Sequence, residues 1–352
     1  MKRMMEPIKT LWYATASHSV YYIDETVLPS EYRIRECTTI GDLGEAIRTL
    51  AIRGAPALGV AGAFGVAMSA MRSDPGNFGE FLNQVQSDAR YISMTRPTAV
   101  NLSWGVNRVL NAIQARNTVK DAQAAGLREA LEIAREDAES CQRLGRHGAA
   151  LLPRNCTVLT HCNAGALACS EWGTALGVIR SAIAEGNQVR VLASETRPLL
   201  QGARLTAWEL ARDGVDVTVI TDSMAAMFMR TNKVDCVVVG ADRITKDAVL
   251  NKIGTYMHAV CAHYHGIPFY VAAPLSTFDM ERTEREVEIE ERSREEISSC
   301  NGKMLVPENV PVNNPAFDAT PLTLVSAIIT EKGVIRPPFD LVRTLNTPEY
   351  RQ

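Results

Sequence analysis

The stretch CTVLTHCNAG, residues 156–165, is apolar and β-branched up to Thr160 and then stops at His161-Cys162-Asn163, with Ala164 and Gly165 behind. A core cysteine normally lies inside a strand. A thiol at a strand end, just before a helix, meets free backbone N–H groups and nearby cations that favour the thiolate. Cys162 can then be a base, a nucleophile or a charge stabiliser; the alternative is an inert small hydrophobe, which is the reading for Cys156, Cys169 and Cys236. Successive strand residues face opposite ways, so His161 and Cys162 do not form a dyad. A carboxyl group recurs in the same kind of place: CVVVGAD, residues 236–242, ends at Asp242, with Gly240 and Ala241 leaving room beside it. Against apolar walls a carboxylic acid keeps its proton towards neutrality and can donate it. The competing role for Asp242 is a cap, or a partner for Arg243.

Cations at helix starts are a second chemical signal. IRGAPALG sets Arg53 before Gly54-Ala55-Pro56 and a helix start. Guanidinium, free N–H groups and helix dipole together make an anion site. Arg96-Pro97 and Arg197-Pro198 each precede a helix, and Lys252 follows Asn251 at another expected helix start over 251–265. These four cations point to a phosphorylated substrate. A dinucleotide site is excluded: NAGALA has the place of a phosphate-binding turn but lacks its glycines, and there is no Walker A stretch. HAVCAHYH carries His258, Cys261, His263 and His265, but no acidic or second cysteine cluster accompanies them, so no metal is expected.

The elements that must position these groups alternate from residue 155 onward. Strands are expected at 156–162, 188–195, 216–222, 236–242 and 268–274, with helices between them such as 201–213. Near-continuous apolar strands alternating with helices give a parallel sheet covered on both faces. Ligands bind beyond the carboxyl ends of such strands. Those ends carry Cys162-Asn163, Glu195-Thr196-Arg197, Asp222-Ser223, Asp242-Arg243 and Pro274, so four of the five deliver an ionisable or reactive group to one edge. Before this lies a strand region followed by helices. TIGDLGEAIRTLAI has helical spacing with Thr39 and Asp42 at its start, RPTAVNLSWGVNRVLNAI places Pro97 in a first turn, and a charged helix spans about 118–148. The expected organisation is an α/β chain: an N-terminal domain at 1–125, a connecting helix at 126–150 and a Rossmann-like catalytic domain at 151–352.

Composition restricts the partners. A net charge of −3 over 352 residues gives no electrostatic basis for nucleic acid or an anionic membrane. The eight cysteines have no C-x-x-C spacing, which fits a reducing cytoplasm. The N-terminal MKRMMEPIKTLWYATASHSV lacks a clean apolar core, so no signal peptide is expected. The uncharged run 54–71 holds Pro56, four glycines and many alanines, and reads as a buried helix whose small residues admit close neighbours rather than as a membrane span. The mixed-charge run 281–296 reads as a solvated face.

RGAPALG, RPTAVNL, THCNAGALA, ETRPLLQGARLTAWEL, VGADRI, NKIGTY and PLSTFD, in order from about residue 9 to 345, resemble the methylthioribose-1-phosphate isomerases, aldose–ketose isomerases of methionine salvage. The wider family includes ribose-1,5-bisphosphate isomerases and regulatory subunits of the translation-initiation guanine exchange factor, which share the fold without the catalytic pair. The resemblance implies a small N-terminal domain, a Rossmann-like C-terminal domain and a homodimer acting on a sugar phosphate without cofactor. It puts the catalytic cysteine on Cys162 and the proton-donor aspartate on Asp242. Substrate binding falls on Arg53, Gly54, Ala55, Arg96, Gln201, Asn251 and Lys252. One departure is TKDAVL between GADRI and NKIGTY, where relatives commonly carry a glycine-containing turn one residue longer. The implied substrate has its anomeric carbon blocked by phosphate, so ring opening needs a proton on the ring oxygen, and a hydrogen must then move from C2 to C1. An apolar, water-poor site suits either an enolate or a hydride route.

Overall fold

The computed structural model describes residues 8–73, 76–300 and 302–350. They form two compact units. One holds residues 8–142 with Gly165–Gly173; the other holds Arg143–Ala164 and residues 174–350.

The first unit opens with a three-stranded antiparallel sheet, β1 (Leu11–Ala14), β2 (Ser19–Ile23) and β3 (Ile34–Cys37), with Leu11 opposite Tyr22 and Val20 opposite Cys37. Five helices follow: α1 (Ile40–Arg48), α2 (Ala55–Arg72), α3 (Phe78–Ser93), α4 (Val100–Gln114) and α5 (Val119–Ala149), whose last residues, from Arg143 on, belong to the second unit. The start of α1 is the capping box its sequence announces. Thr39 accepts the Asp42 N–H at 3.1 Å and Asp42 returns the bond to the Thr39 N–H at 2.9 Å. The uncharged run forms α2, buried from Ala57 to Ala70, and its small residues let α4 approach. A Cβ on Gly105 would lie 2.0 Å from the Gly59 carbonyl oxygen, and one on Gly62 2.8 Å from the Leu102 carbonyl oxygen. Among the described residues no helix is long and apolar enough to cross a membrane. Pro97 lies outside the first turn of α4, contrary to the sequence-based expectation. It is the second residue of a β-turn closed by the Ala99 N–H to the Arg96 carbonyl at 3.0 Å, a position that suits the fixed φ of proline, and the helix starts after it.

The second unit contains the expected parallel sheet. Its strands are β4 (Asn155–Thr160), β5 (Gln188–Ser194), β6 (Asp216–Ile220), β7 (Cys236–Val239), β10 (Phe269–Ala272), β14 (Ala327–Thr330) and β15 (Gly333–Ile335), and only the last runs antiparallel to its neighbour. Helices α6 (Ala175–Ala184), α7 (Ala207–Arg212), α8 (Ala225–Arg230) and α9 (Thr255–Tyr264) lie between successive strands. The order across the sheet is β15-β14-β10-β7-β4-β5-β6. The chain thus runs outward from β4 through β5 to β6, then returns to the other side of β4 with β7. The switch in direction falls between β4 and β7, where open α/β sheets form their binding crevice.

A smaller antiparallel sheet, which sequence reading missed, joins β8 (Arg243–Ile244), β9 (Ala248–Lys252) and β13 (Phe317–Pro321). The expected helix over 251–265 is corrected by it. Asn251 and Lys252 end β9, opposite Asp318 and Phe317, and Gly254 at φ 102° turns the chain before α9 begins at Thr255. The strand wins over this stretch because β8 and β13 pair with it from both sides. The shortened turn between β8 and β9 closes on itself, with Thr245 N–H to the Ala248 carbonyl at 2.9 Å. The charged run 281–296 has little regular structure before α10 (Glu295–Ser298); a short hairpin, β11 (Ser299–Cys300) and β12 (Lys303–Met304), follows, and α11 (Leu341–Leu345) closes the unit.

Gly105→Ala puts a methyl group into the backbone of α2. Overpacking of this kind costs about 1–3 kcal/mol. The variant should unfold at a lower urea concentration than the parent with an unchanged slope.

Candidate active site

The strand ends are shorter than the sequence suggests, so the reactive residues sit on loops just past them. Cys162 is two residues beyond β4, and Asp242 three beyond β7. These are the neighbouring strands at the switch point, paired through Val158–Cys236 and Leu159–Val237. Gly240 permits their loops to touch: a Cβ there would lie 2.6 Å from the Ala164 Cβ.

Cys162 has φ 63°, the left-handed region that non-glycine residues avoid. Two threonines hold it there. The Thr196 hydroxyl oxygen accepts the Cys162 N–H at 2.8 Å, and the Thr206 hydroxyl donates to the Cys162 carbonyl at 2.7 Å. Thr196 itself has φ 66°. Its hydroxyl donates to the Ser194 carbonyl at 3.0 Å and its N–H to Asp222 Oδ1 at 2.8 Å, while Arg197 N–H reaches Asp222 Oδ2 at 2.7 Å. Asp222 is thus the anchor of the loop after β5. Thr206 ends one turn of π-helix, Gly202–Thr206, which leads into α7. Gly202 is required there, since a Cβ would lie 1.8 Å from the Ser194 carbonyl oxygen. Asn163, next to the thiol, is buried and donates to Thr206 Oγ1 at 3.2 Å and Glu209 Oε1 at 2.9 Å. Glu209 is in turn paired with buried Arg180 at 2.9 Å.

Asp242 is half-buried, and the residue before it, Ala241, packs on the apolar core that holds Val237 and Val239. The Asp242 N–H donates at 2.9 Å to the carbonyl of Leu250, the residue of β9 that is paired with Arg243. Arg243, the partner considered for Asp242 from sequence, pairs with Asp279 at 3.0 Å. Asn251 is buried and its amide donates to Thr255 Oγ1 at 3.0 Å. Lys252 is buried with its ammonium 4.6 Å from the centre of the Phe317 ring. Burial pushes the Asp318 carboxyl up to about 6, although it accepts N–H groups of Gly254 and Tyr256. Gln201 is buried and its Oε1 has no hydrogen-bond partner among the described residues. The Arg197 guanidinium is turned to the carbonyls of Pro198 and Ile297.

The remaining sequence candidates belong to the first unit. Arg53 forms a buried ion pair with Glu25 at 2.7 Å. Gly54 caps α2 at φ 91°, where a Cβ would lie 2.5 Å from Ala168, and Ala55 begins the helix. Arg96 is half-buried in the turn before α4, and the first turns of α2 and α4 pack together through Gly59 and Asn101. Sequence reading placed Asn163, Thr196 and Asp222 at the carboxyl edge without giving them these roles, and it missed Thr206 and Ser194. Both threonines stood in the stretch ETRPLLQGARLT, but nothing local marks a hydroxyl as a clamp for a residue more than thirty positions away.

The architecture is a Rossmann-like open sheet with a thiol and a carboxyl just past its two switch-point strands. Residues 51–337 match the Initiation factor 2 subunit family, and the chain belongs to it. It is 47% identical over 335 residues to a methylthioribose-1-phosphate isomerase of Thermosipho melanesiensis, covering 95% of this chain and 97% of that one. The crystal structure of 5-methylthioribose 1-phosphate isomerase from Pyrococcus horikoshii OT3 superposes with a TM-score of 0.91 at 42% identity, over 97% of this chain and 96% of that one. A crystal structure described as the translation initiation factor eIF-2B, subunit delta, from A. fulgidus superposes with a TM-score of 0.86 at 50% identity, over 95% and 97% of the two chains. Within the family this chain is an enzyme of the isomerase class, grouped with the methylthioribose-1-phosphate isomerases.

Thr196→Val removes the acceptor of the Cys162 N–H. An orphaned N–H of this kind costs about 1–3 kcal/mol. Urea unfolding should register that loss, and a variant as stable as the parent would show that the loop holds its shape without the clamp.

Proposed function

We propose that the chain converts 5-methylthioribose 1-phosphate into 5-methylthioribulose 1-phosphate. The observation that carries this reading is the placement of Cys162 and Asp242 just past neighbouring strands at the switch point of the sheet. In this reading protonated Asp242 gives its proton to the ring oxygen as the bond from that oxygen to C1 breaks. The hydrogen on C2 then moves to C1, and the C2 hydroxyl proton is released as the ketone forms, so the product is an isomer of the substrate. Cys162 as thiolate either carries the C2 proton through an enolate or stabilises the charge during a hydride shift. Gln201, Asn251 and Lys252 hold hydroxyl and phosphate oxygens. The reaction requires no nucleotide or metal, and its setting is the cytoplasm.

The name carried by the A. fulgidus structure favours a second reading, a regulatory subunit of the same fold. Retention of both Cys162 and Asp242 supports the enzyme instead. Purified protein should form ketose from 5-methylthioribose 1-phosphate and leave ribose 1,5-bisphosphate unchanged. Turnover of the bisphosphate alone would keep the chemistry and change the substrate, and activity on neither would favour the regulatory reading. Cys162→Ser and Asp242→Asn should each reduce kcat by about 10²-fold or more with the fold intact. A parental rate in either variant removes that residue from the mechanism.

We also propose that the enzyme is a homodimer. Met224 and Met227, at and within α8, and Tyr256, Met257, Val260 and Tyr264 of the adjoining α9 are exposed, Tyr264 at 83%. Apolar exposure on this scale marks an interaction surface. Light scattering should give twice the chain mass, and Val260→Asp with Tyr264→Glu should shift it towards the monomer.

A further inference from the structure

Behind the Cys162 turn lies a pair of buried histidines that the chemistry above leaves unused. The rings of His161 and His258 cross edge-on, with centres 4.7 Å apart. His161 Nε2 is 2.8 Å from the Ile253 carbonyl oxygen, which can only accept, so this nitrogen carries a hydrogen. Burial lowers the pKa of both rings, His258 well below its ordinary value. The charged groups facing His161 are Asp222, which favours its cation, and Lys252, which opposes it; the group facing His258 is His161. Both rings are therefore neutral at pH 7, and His161 Nδ1 is an acceptor. It accepts from His258 Nε2 at 3.1 Å; the Ser194 oxygen lies 2.6 Å from it and 2.8 Å from Asp222 Oδ1, and the single hydroxyl hydrogen serves one of these two acceptors at a time.

The other side of the His161 ring is equally constrained. A Cβ on Gly254 would lie 3.0 Å from His161 Cε1 and 3.1 Å from Nε2, so the ring is seated on the turn that follows β9. His161 precedes Cys162 in the chain, and its ring is bonded to the residue that follows Lys252. His161, His258 and Asp222 also have the donor types of a metal triad. Two nitrogens sharing a tetrahedral zinc stand about 3.4 Å apart. The shorter contact here, with the Ser194 hydroxyl against both rings, is that of a hydrogen-bonded pair.

We propose that His161 and His258 are positioning residues for the isomerisation. They form an uncharged strut that ties the Cys162 turn to the Asn251–Lys252 strand end, without placing a cation under the thiol. This rests on the isomerase reading for its meaning, but its test does not depend on it. The pH midpoint of Cys162 alkylation by iodoacetamide is followed at the Cys162 peptide by mass spectrometry, since Cys261 and Cys300 are also partly exposed. His161→Leu should move that midpoint by about half a unit or more, and lower kcat on 5-methylthioribose 1-phosphate roughly ten- to a hundredfold, as displacement of a reacting group does. His161→Gln, which keeps a donor and an acceptor, should restore most of both. His258→Phe keeps the ring shape but loses the donor to His161, and should shift the midpoint in the same sense; it decides the matter if His161→Leu fails to fold. A shifted midpoint in a parent protein with no turnover keeps the strut and removes the isomerase reading. An unshifted midpoint in folded variants overturns the proposal, whatever happens to kcat.

Discussion

The peptide of Cys162 is held on both sides by threonine hydroxyls, and the geometry of the site depends on that clamp. A non-glycine residue in the left-handed region costs about 1–2 kcal/mol. One net hydrogen bond contributes about 1 kcal/mol, so two are needed to offset the strain. Both clamping residues come from the segment after β5, and each has its own constraint. Thr196 is set by Asp222, which stands after β6. Thr206 is set by the close approach of Gly202 to the end of β5. Three parallel strands therefore cooperate to aim one side chain.

The sheet order explains why the aim matters. Because β7 returns to the far side of β4, the loop bearing Asp242 lies beside the loop bearing Cys162, and Gly240 removes the side chain that would separate it from Ala164. The small antiparallel sheet then carries Asp318 opposite Asn251, with Lys252 against Phe317 in the next row. An acid, an amide and an ammonium are thus presented by rigid backbone pairing rather than by a mobile loop. Rigid support of this kind lets a site discriminate between a bound sugar and its transition state.

Much of this was legible in the residues. The alternation of apolar strands and helices from residue 155 specifies a parallel sheet covered on both faces, since only such a sheet buries strands on both sides. The ends of those strands could be read for chemistry, since Cys162, Glu195, Asp222 and Asp242 all fall on one edge, but it was the family resemblance that singled out Cys162 and Asp242 among them. The Thr39 cap and the small-residue helix α2 are local facts and read correctly. The stretch around Asn251 and Lys252 was misread as a helix start. Its longer pairing partner, β13, lies 65 to 73 residues further along the chain (317 − 252 to 321 − 248), and pairing at that distance leaves no mark in local periodicity.

By itself, then, the sequence determined which groups reach the carboxyl edge of the sheet and which segments are too small-sided or too apolar to be surface. Those are properties of a few adjacent residues. The tertiary structure alone decided that β4 and β7 are neighbours, that Thr196 and Thr206 grip the Cys162 peptide, and that two histidines close to a hundred positions apart share a hydrogen bond. Strand order and side-chain reach are set by packing the whole chain, because each contact becomes favourable only when elements distant in sequence have already been brought together.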